Sequence, residues 1–139
     1  ALEIPDNRQH DSYLNLPLDE MMLHIQKAIE NGHPVCWEGD ISEEGFIHAK
    51  DNYVDIPENE RPVTPTSRQE EFEQLRTTDD HVMEIIGTFL KDEQRYYVCR
   101  NSAGKKWGNQ GLIYLSEDYL RLKTIAVFMS EEAFLFDRK

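Results

Sequence analysis

The sequence predicts an α+β domain in which an N-terminal helix and a short second helix precede a set of antiparallel strands. Three observations carry this. Between residues 17 and 30 the apolar residues Leu18, Met21, Met22, Ile25, Ala28 and Ile29 recur at helical spacing. Pro17 suits the entry to a helix, Asp19 and Glu20 complement the positive end of its dipole, and Gly32 is placed to stop it. From His81 onward the pattern turns to β: residues 82–90 are apolar apart from Glu84, Gly87 and Thr88, residues 91–94 form a polar turn, and residues 95–100 run back through Tyr96, Tyr97 and Val98. Residues 112–115 and 124–129 are two further β-prone runs, with Ser116-Glu117-Asp118 placed to cap one helical turn between them.

The remaining segments fit around these. Residues 1–12 are polar and aperiodic and read as an arm or a cut end. Residues 34–37, Pro-Val-Cys-Trp, read as a short buried strand. Residues 38–65 mix acids, Gly, Asn and Pro and read as a long surface excursion with little regular structure. Ser67-Arg68-Gln69-Glu70 matches a capping box, which opens the second helix through Phe72 and Leu75.

Length and charge exclude several functions. A chain of 139 residues is one domain or half of a larger one, and 39% hydrophobic with 10% aromatic residues is a globular composition. The net charge of −12 is uneven: residues 1–80 hold 19 acids and 6 bases, residues 81–139 hold 8 acids and 9 bases. The acidic part repels nucleic acid and anionic membrane, since binding either needs a basic face, so neither is expected as a partner. There is no run of about 18 apolar residues to span a bilayer, and no signal peptide is recognisable. The chain opens on Ala1 rather than Met, as expected where a leader or a longer N-terminal region has been removed, which leaves the compartment open. Two cysteines, Cys36 and Cys99, are too few for a disulfide framework and sit in apolar runs that favour buried, reduced thiols.

The chemistry lies in the hairpin. A base at the start of one strand and an amide at the end of its antiparallel partner stand side by side, and His81 and Asn101 occupy those positions. A neutral imidazole can take a proton from a thiol once its tautomer is fixed, and an amide oxygen fixes it without adding charge, as in the Cys-His-Asn variant of the triad. The flanking residues make the pair more than a coincidence. His81-Val82-Met83-Glu84-Ile85-Ile86-Gly87, Asn101-Ser102-Ala103-Gly104 and Trp107-Gly108-Asn109-Gln110-Gly111 are similar in order, spacing and type to papain-like cysteine peptidases. Those enzymes show a strand beginning His-small-Met/Val, a hairpin, Asn-Ser-Trp-Gly and then Trp-Gly-x-x-Gly. Within that family the chain most resembles the bleomycin hydrolase and aminopeptidase C branch, through Pro17-Leu18-Asp19-Glu20-Met21-Met22, Arg68-Gln69, Phe72 and Thr77-Thr78-Asp79-Asp80-His81. The resemblance covers roughly residues 13–134.

The resemblance implies that residues 13–139 are the C-terminal, right-hand half of such a peptidase, built on an antiparallel, barrel-like sheet. His81 is then the general base and Asn101 its orienter, with Trp107 as structural support. The other half of the family's enzymes is helical and carries the nucleophilic cysteine at a helix N-terminus, where the thiol pKa is lowered. That helical half and a peptide substrate are the implied partners, and self-association is the alternative way to cover an exposed half-domain face. Two departures stand out. Neither cysteine qualifies as the nucleophile: Cys36-Trp37 follows Pro34-Val35 in a strand-like run with no glutamine oxyanion donor upstream, and Cys99 lies on the hairpin. Ala103 stands where the family has a tryptophan that covers the His–Asn hydrogen bond and keeps it dry. The chain alone is therefore expected to be inactive. A catalytically dead binding or inhibitory module, or a stable fragment, is the alternative from another class. His10, His24, His33 and His48 lack metal-ligand spacing, so no metal or cofactor is expected. The tail, residues 134–139, has no match through which the branch's C-terminal arm could be carried over.

Overall fold

The computed structural model of the chain describes residues 13–47, 49–78 and 81–135. The arm expected over residues 1–12, including His10, lies outside them, as do His48 and residues 136–139. Helix α1 (Leu18–Glu30) forms where its periodicity predicts, and Leu18, Met22, Ile25, Ala28 and Ile29 are buried. Its acidic first turn and Lys27 in the last turn complement the dipole. Asn31 closes it by donating from Nδ2 to the Lys27 carbonyl at 2.8 Å. Gly32 then takes a φ of +81°, which a glycine adopts without strain.

Strand β1 (Val35–Gly39) alternates: Val35, Trp37 and Gly39 are buried, Cys36 and Glu38 partly so. Trp37 is fully buried, and its indole donates to Thr124 Oγ1 at 2.7 Å. Strands β3 (His81–Lys91) and β4 (Gln94–Arg100) form the predicted hairpin. Its turn residues Asp92 and Glu93 have φ of 50° and 64°, the signature of a primed turn that matches strand twist. β5 (Leu112–Ser116), α4 (Glu117–Lys123) and β6 (Thr124–Phe128) follow, and α5 (Glu131–Leu135) packs back on α1.

Six strands make one sheet in the order β2-β5-β4-β3-β1-β6, where β2 is Tyr53–Val54. Every pair is antiparallel except β2–β5. The α+β class and the antiparallel centre of the sheet agree with the sequence reading; the sheet itself is open rather than barrel-like, with β2 and β6 at its edges. A bulge between Ile85 and Gly87 exchanges the faces of β3. Before it, Met83 and Ile85 point into the core. After it, Phe89 joins Tyr53, Tyr96 and Tyr114 in a ring cluster on the opposite face, with centroids 5.0 to 6.4 Å apart.

Three expectations need correction. Residues 38–65 are not simply a surface excursion. They contain α2 (Glu44–Ile47), β2 and a 3-10 turn (Glu58–Glu60), and they contribute Val54, Ile56 and Val63 to the core. Arg61 anchors this segment, donating to Asp55, Asp118, Glu58 and the Ile56 carbonyl. The second helix, α3 (Pro65–Glu73), begins before the expected capping box. Thr64 is its N-cap, Pro65 occupies the first turn, and the reciprocal bonds run between Thr64 and Ser67. Serine at the third helical position replaces the usual Glu or Gln partner, which is why the pattern is off by three in the sequence. The Arg68 guanidinium, largely buried, bonds the carbonyls of Arg121, Leu122 and Thr124 and so satisfies the orphan acceptors at the end of α4. Helix α4 runs to seven residues, longer than the single turn expected, with Ser116 accepting from the Tyr119 N–H at 3.0 Å.

Candidate active site

The hairpin brings His81 and Asn101 together. His81 opens β3, and Asn101 follows the last residue of β4, whose Arg100 pairs with Glu84. Asn101 Oδ1 lies 2.9 Å from His81 Nε2. The same oxygen accepts from the Ser102 N–H at 2.7 Å, which orients the amide with its oxygen toward the ring. An amide oxygen only accepts, so Nε2 carries the proton and Nδ1 keeps its lone pair. Asn101 is buried while His81 is half-exposed, so the pair has a fixed base and an open face.

The loop after β4 is held by its own backbone. Asn101 N–H donates to the Gly111 carbonyl at 3.1 Å, and Trp107 N–H to the Gly104 carbonyl at 3.1 Å. Gly108 has φ of +58°, and a Cβ there would strike the Leu112 carbonyl, so the Trp-Gly sequence is a backbone requirement. The Trp107 ring stacks on Phe46 at 6.1 Å, bracing the loop against α2. Ala103 is exposed, and its methyl offers little cover to the His–Asn bond.

Neither cysteine stands where it could react with His81. Gly39 pairs with His81 and Trp37 with Met83, whereas Cys36 pairs with Glu84. Cys36 therefore points from the face opposite His81, three residues along, or about 10 Å at strand spacing. Burial, and then the carboxylates of Glu38 and Glu84, push its thiol pKa up, the reverse of what a nucleophile needs. Cys99 is fully buried, and burial pushes its thiol pKa far up. Iodoacetamide at neutral pH should alkylate Cys36 more slowly than free cysteine, at a rate unaffected by His81→Ala. Rapid labelling that depends on His81 would reverse this assignment. His24 stacks on Phe134 with centroids 4.3 Å apart. Among the described residues, no group of three His, Cys, Asp or Glu could hold a metal ion.

The sequence reading passed over one residue beside the pair. Asp40 follows the Gly39 that pairs with His81 and is 1% exposed. The signal available was Asp40-Ile41-Ser42, the spacing at which an aspartate accepts from the backbone two residues on.

An imidazole held in one tautomer by an amide oxygen, at the open end of an antiparallel hairpin, is what a nucleophilic hydrolase asks of its base. The chain belongs to the papain family of cysteine proteases, whose family profile matches residues 9–130. No curated protein matches the sequence at a significant level. Among solved structures, PepW from Lactobacillus rhamnosis superposes with a TM-score of 0.69 at 20% identity, covering 86% of this chain and 28% of that one, a likeness of fold. A structure described for the mite allergens Blo t 1 and Der p 1 aligns at a TM-score of 0.49 and 19% identity, covering 81% of this chain and 31% of that one. The chain thus spans less than a third of either structure's length.

Proposed function

We propose that residues 13–139 form the C-terminal, barrel half-domain of a cysteine peptidase of the bleomycin hydrolase and aminopeptidase C type. It supplies the general base and its orienter, and a helical half supplies the thiol. The observation that carries this reading is the 2.9 Å contact of His81 Nε2 with Asn101 Oδ1, which leaves Nδ1 free to receive a proton. Membership of the papain family supports the reaction class. The bleomycin hydrolase-like motifs around Pro17, Arg68 and His81 support the branch.

In this mechanism His81 Nδ1 takes the thiol proton, and the thiolate attacks the peptide carbonyl carbon. The imidazolium then gives that proton to the leaving amine as the C–N bond breaks. A water molecule, deprotonated by Nδ1, releases the acyl group and restores the thiol. Asn101 accepts from Nε2 throughout and keeps the ring in the productive orientation. Trp107 supports the loop that carries Asn101. The open side of the pair at Ala103 makes the hydrogen bond wetter than in relatives with an indole there, which lowers the expected rate.

The test begins with the coding sequence upstream of Ala1 and in neighbouring genes. A Gln-x-x-x-x-x-Cys-Trp segment is expected in one of them. The protein containing both halves should then release an aminoacyl fluorophore and lose that activity to a thiol-directed peptidyl inhibitor. Absence of such a segment together with absence of hydrolysis sinks the peptidase reading and leaves an inactive, peptidase-like binding module.

A further inference from the structure

We propose that Asp40 is a positioning residue for His81, acting through Thr78 and the strand entry rather than on the ring itself. The inference rests on the peptidase reading for its functional meaning, and on the geometry for everything else. Asp40 sits where β1 ends, one residue past the Gly39 rung that faces His81 on one side and Thr124 on the other. Its carboxylate is almost wholly removed from water, at 1% exposure. A buried carboxylate is stable only when donors surround it, and the donors here are divided by purpose. Oδ1 accepts from the Ser42 N–H at 2.8 Å and from Ser42 Oγ at 2.7 Å, closing the turn out of β1. Oδ2 accepts from the Thr78 N–H at 2.7 Å and from Thr78 Oγ1 at 3.1 Å, reaching a segment 38 residues away in sequence.

The Asp40 backbone is fixed as well. Its N–H donates to the Lys123 carbonyl at 3.2 Å, and its carbonyl accepts from the Tyr119 hydroxyl at 2.8 Å. The carboxylate is thus a rigid post, tied to α4 and β1, to which the chain just before β3 is moored. His81 lies three residue steps beyond Thr78, a reach of about 10 Å at most, so mooring Thr78 limits where His81 can begin its strand. The ring is then held from two directions, by Asn101 at Nε2 and by Asp40 through the chain that leads to it. Gly39 lies close against the same frame: a Cβ there would strike the Trp37 ring and the Lys123 carbonyl, so β1 packs tightly beside His81.

The experiment is ¹⁵N-histidine NMR on the full chain, reading the tautomer of His81 and the exchange of its Nε2–H. No thiol is needed. Wild type should show one tautomer with a protected Nε2–H. Asp40→Asn cannot satisfy both mooring points, because an amide nitrogen faces either Ser42 or Thr78 with hydrogens. It should mix the tautomers and speed Nε2–H exchange by roughly tenfold or more, the scale of one lost charge-assisted hydrogen bond. Thr78→Val, which keeps the backbone bond, should act in the same direction with smaller effect. Amides of Tyr97 and Leu115 in the sheet core should keep their protection in both variants. Tautomer and exchange unchanged in both variants overturn the proposal, as does a loss of protection spread evenly over the sheet, which marks a merely structural carboxylate. A wild-type ring that already averages between tautomers overturns both this proposal and the orienting role of Asn101. An ordered wild type with an ordered Asp40→Asn overturns this proposal alone.

Discussion

In the proposed two-half peptidase, His81→Ala should lower kcat/KM by roughly 10²–10⁴-fold, the range for removing a positioned general base. The loss should fall on kcat, with KM little changed, because the imidazole moves a proton and adds little to ground-state binding. Asn101→Ala should reduce the same parameter less. The base stays, but its ring is no longer bonded through Nε2 to a buried acceptor. The unlocked ring then spends part of its time with the hydrogen on Nδ1, where no lone pair is available to the thiol. The measurement is steady-state hydrolysis of aminoacyl substrates by the protein carrying both halves. Undiminished turnover in His81→Ala would remove the residue from the mechanism.

The largest expected effect on stability lies at Lys123. This ammonium is 1% exposed and uses all three protons, donating to Glu43 Oε1 at 2.9 Å, Glu71 Oε2 at 3.0 Å and the Arg76 carbonyl at 3.0 Å. Lys123→Met should destabilise the fold by about 3 kcal/mol, the lower end for breaking a buried ion pair by removing one partner. It is the lower end because Glu71 keeps the Arg76 guanidinium at 2.6 Å and the Glu43 side chain is 32% exposed. Lys123→Met with Glu71→Met should recover part of the loss, since the orphaned charge leaves with its partner. Urea midpoints of the two variants decide this, and an unchanged midpoint for Lys123→Met is the contrary result. The pH dependence has a definite sign. Burial pulls the Lys123 pKa down, but the bonds and charges of Glu43 and Glu71 outweigh it and hold the folded value above the ordinary 10.5. The stabilisation is therefore complete below about pH 10.5 and is lost as pH rises through the folded value. Asp55 works at the other end. Burial raises its pKa, but hydrogen bonds from Ser116, Gln94, Arg61 and the Ile56 N–H bring it below the ordinary 3.8. Its contribution holds above that value and is lost as pH falls through the lower folded one.

The elements legible in the sequence are those whose evidence is local. Helix α1 shows in six apolar residues at one spacing, and the β3–β4 hairpin in two apolar runs around a polar turn. The placement of His81 beside Asn101 follows from the hairpin, because antiparallel pairing returns the chain to its starting end. Residues 38–65 were opaque for the opposite reason. Val54, Ile56 and Val63 enter the core singly, between acids and prolines, and β2 is two residues long. No periodicity accumulates over such short pieces. Thr64 is a helix cap only once Pro65 and Ser67 are seen to follow it inside the helix.

The sequence by itself determined the class of fold, the hairpin and the two residues that meet at its open end, since spacing and local pairing rules carry all three. It also indicated that neither cysteine is a credible partner. Tertiary structure alone decided which face each side chain takes. The pairing of Cys36 with Glu84 and of Gly39 with His81 places thiol and imidazole on opposite sides of the sheet. It alone decided that Nε2 is the bonded nitrogen, and that Asp40 and Lys123 are buried nodes rather than surface charges. The reason is physical: burial, charge neutralisation and tautomer choice depend on which donors and acceptors arrive from 20 to 80 residues away in the chain, and one-dimensional patterns do not contain that information.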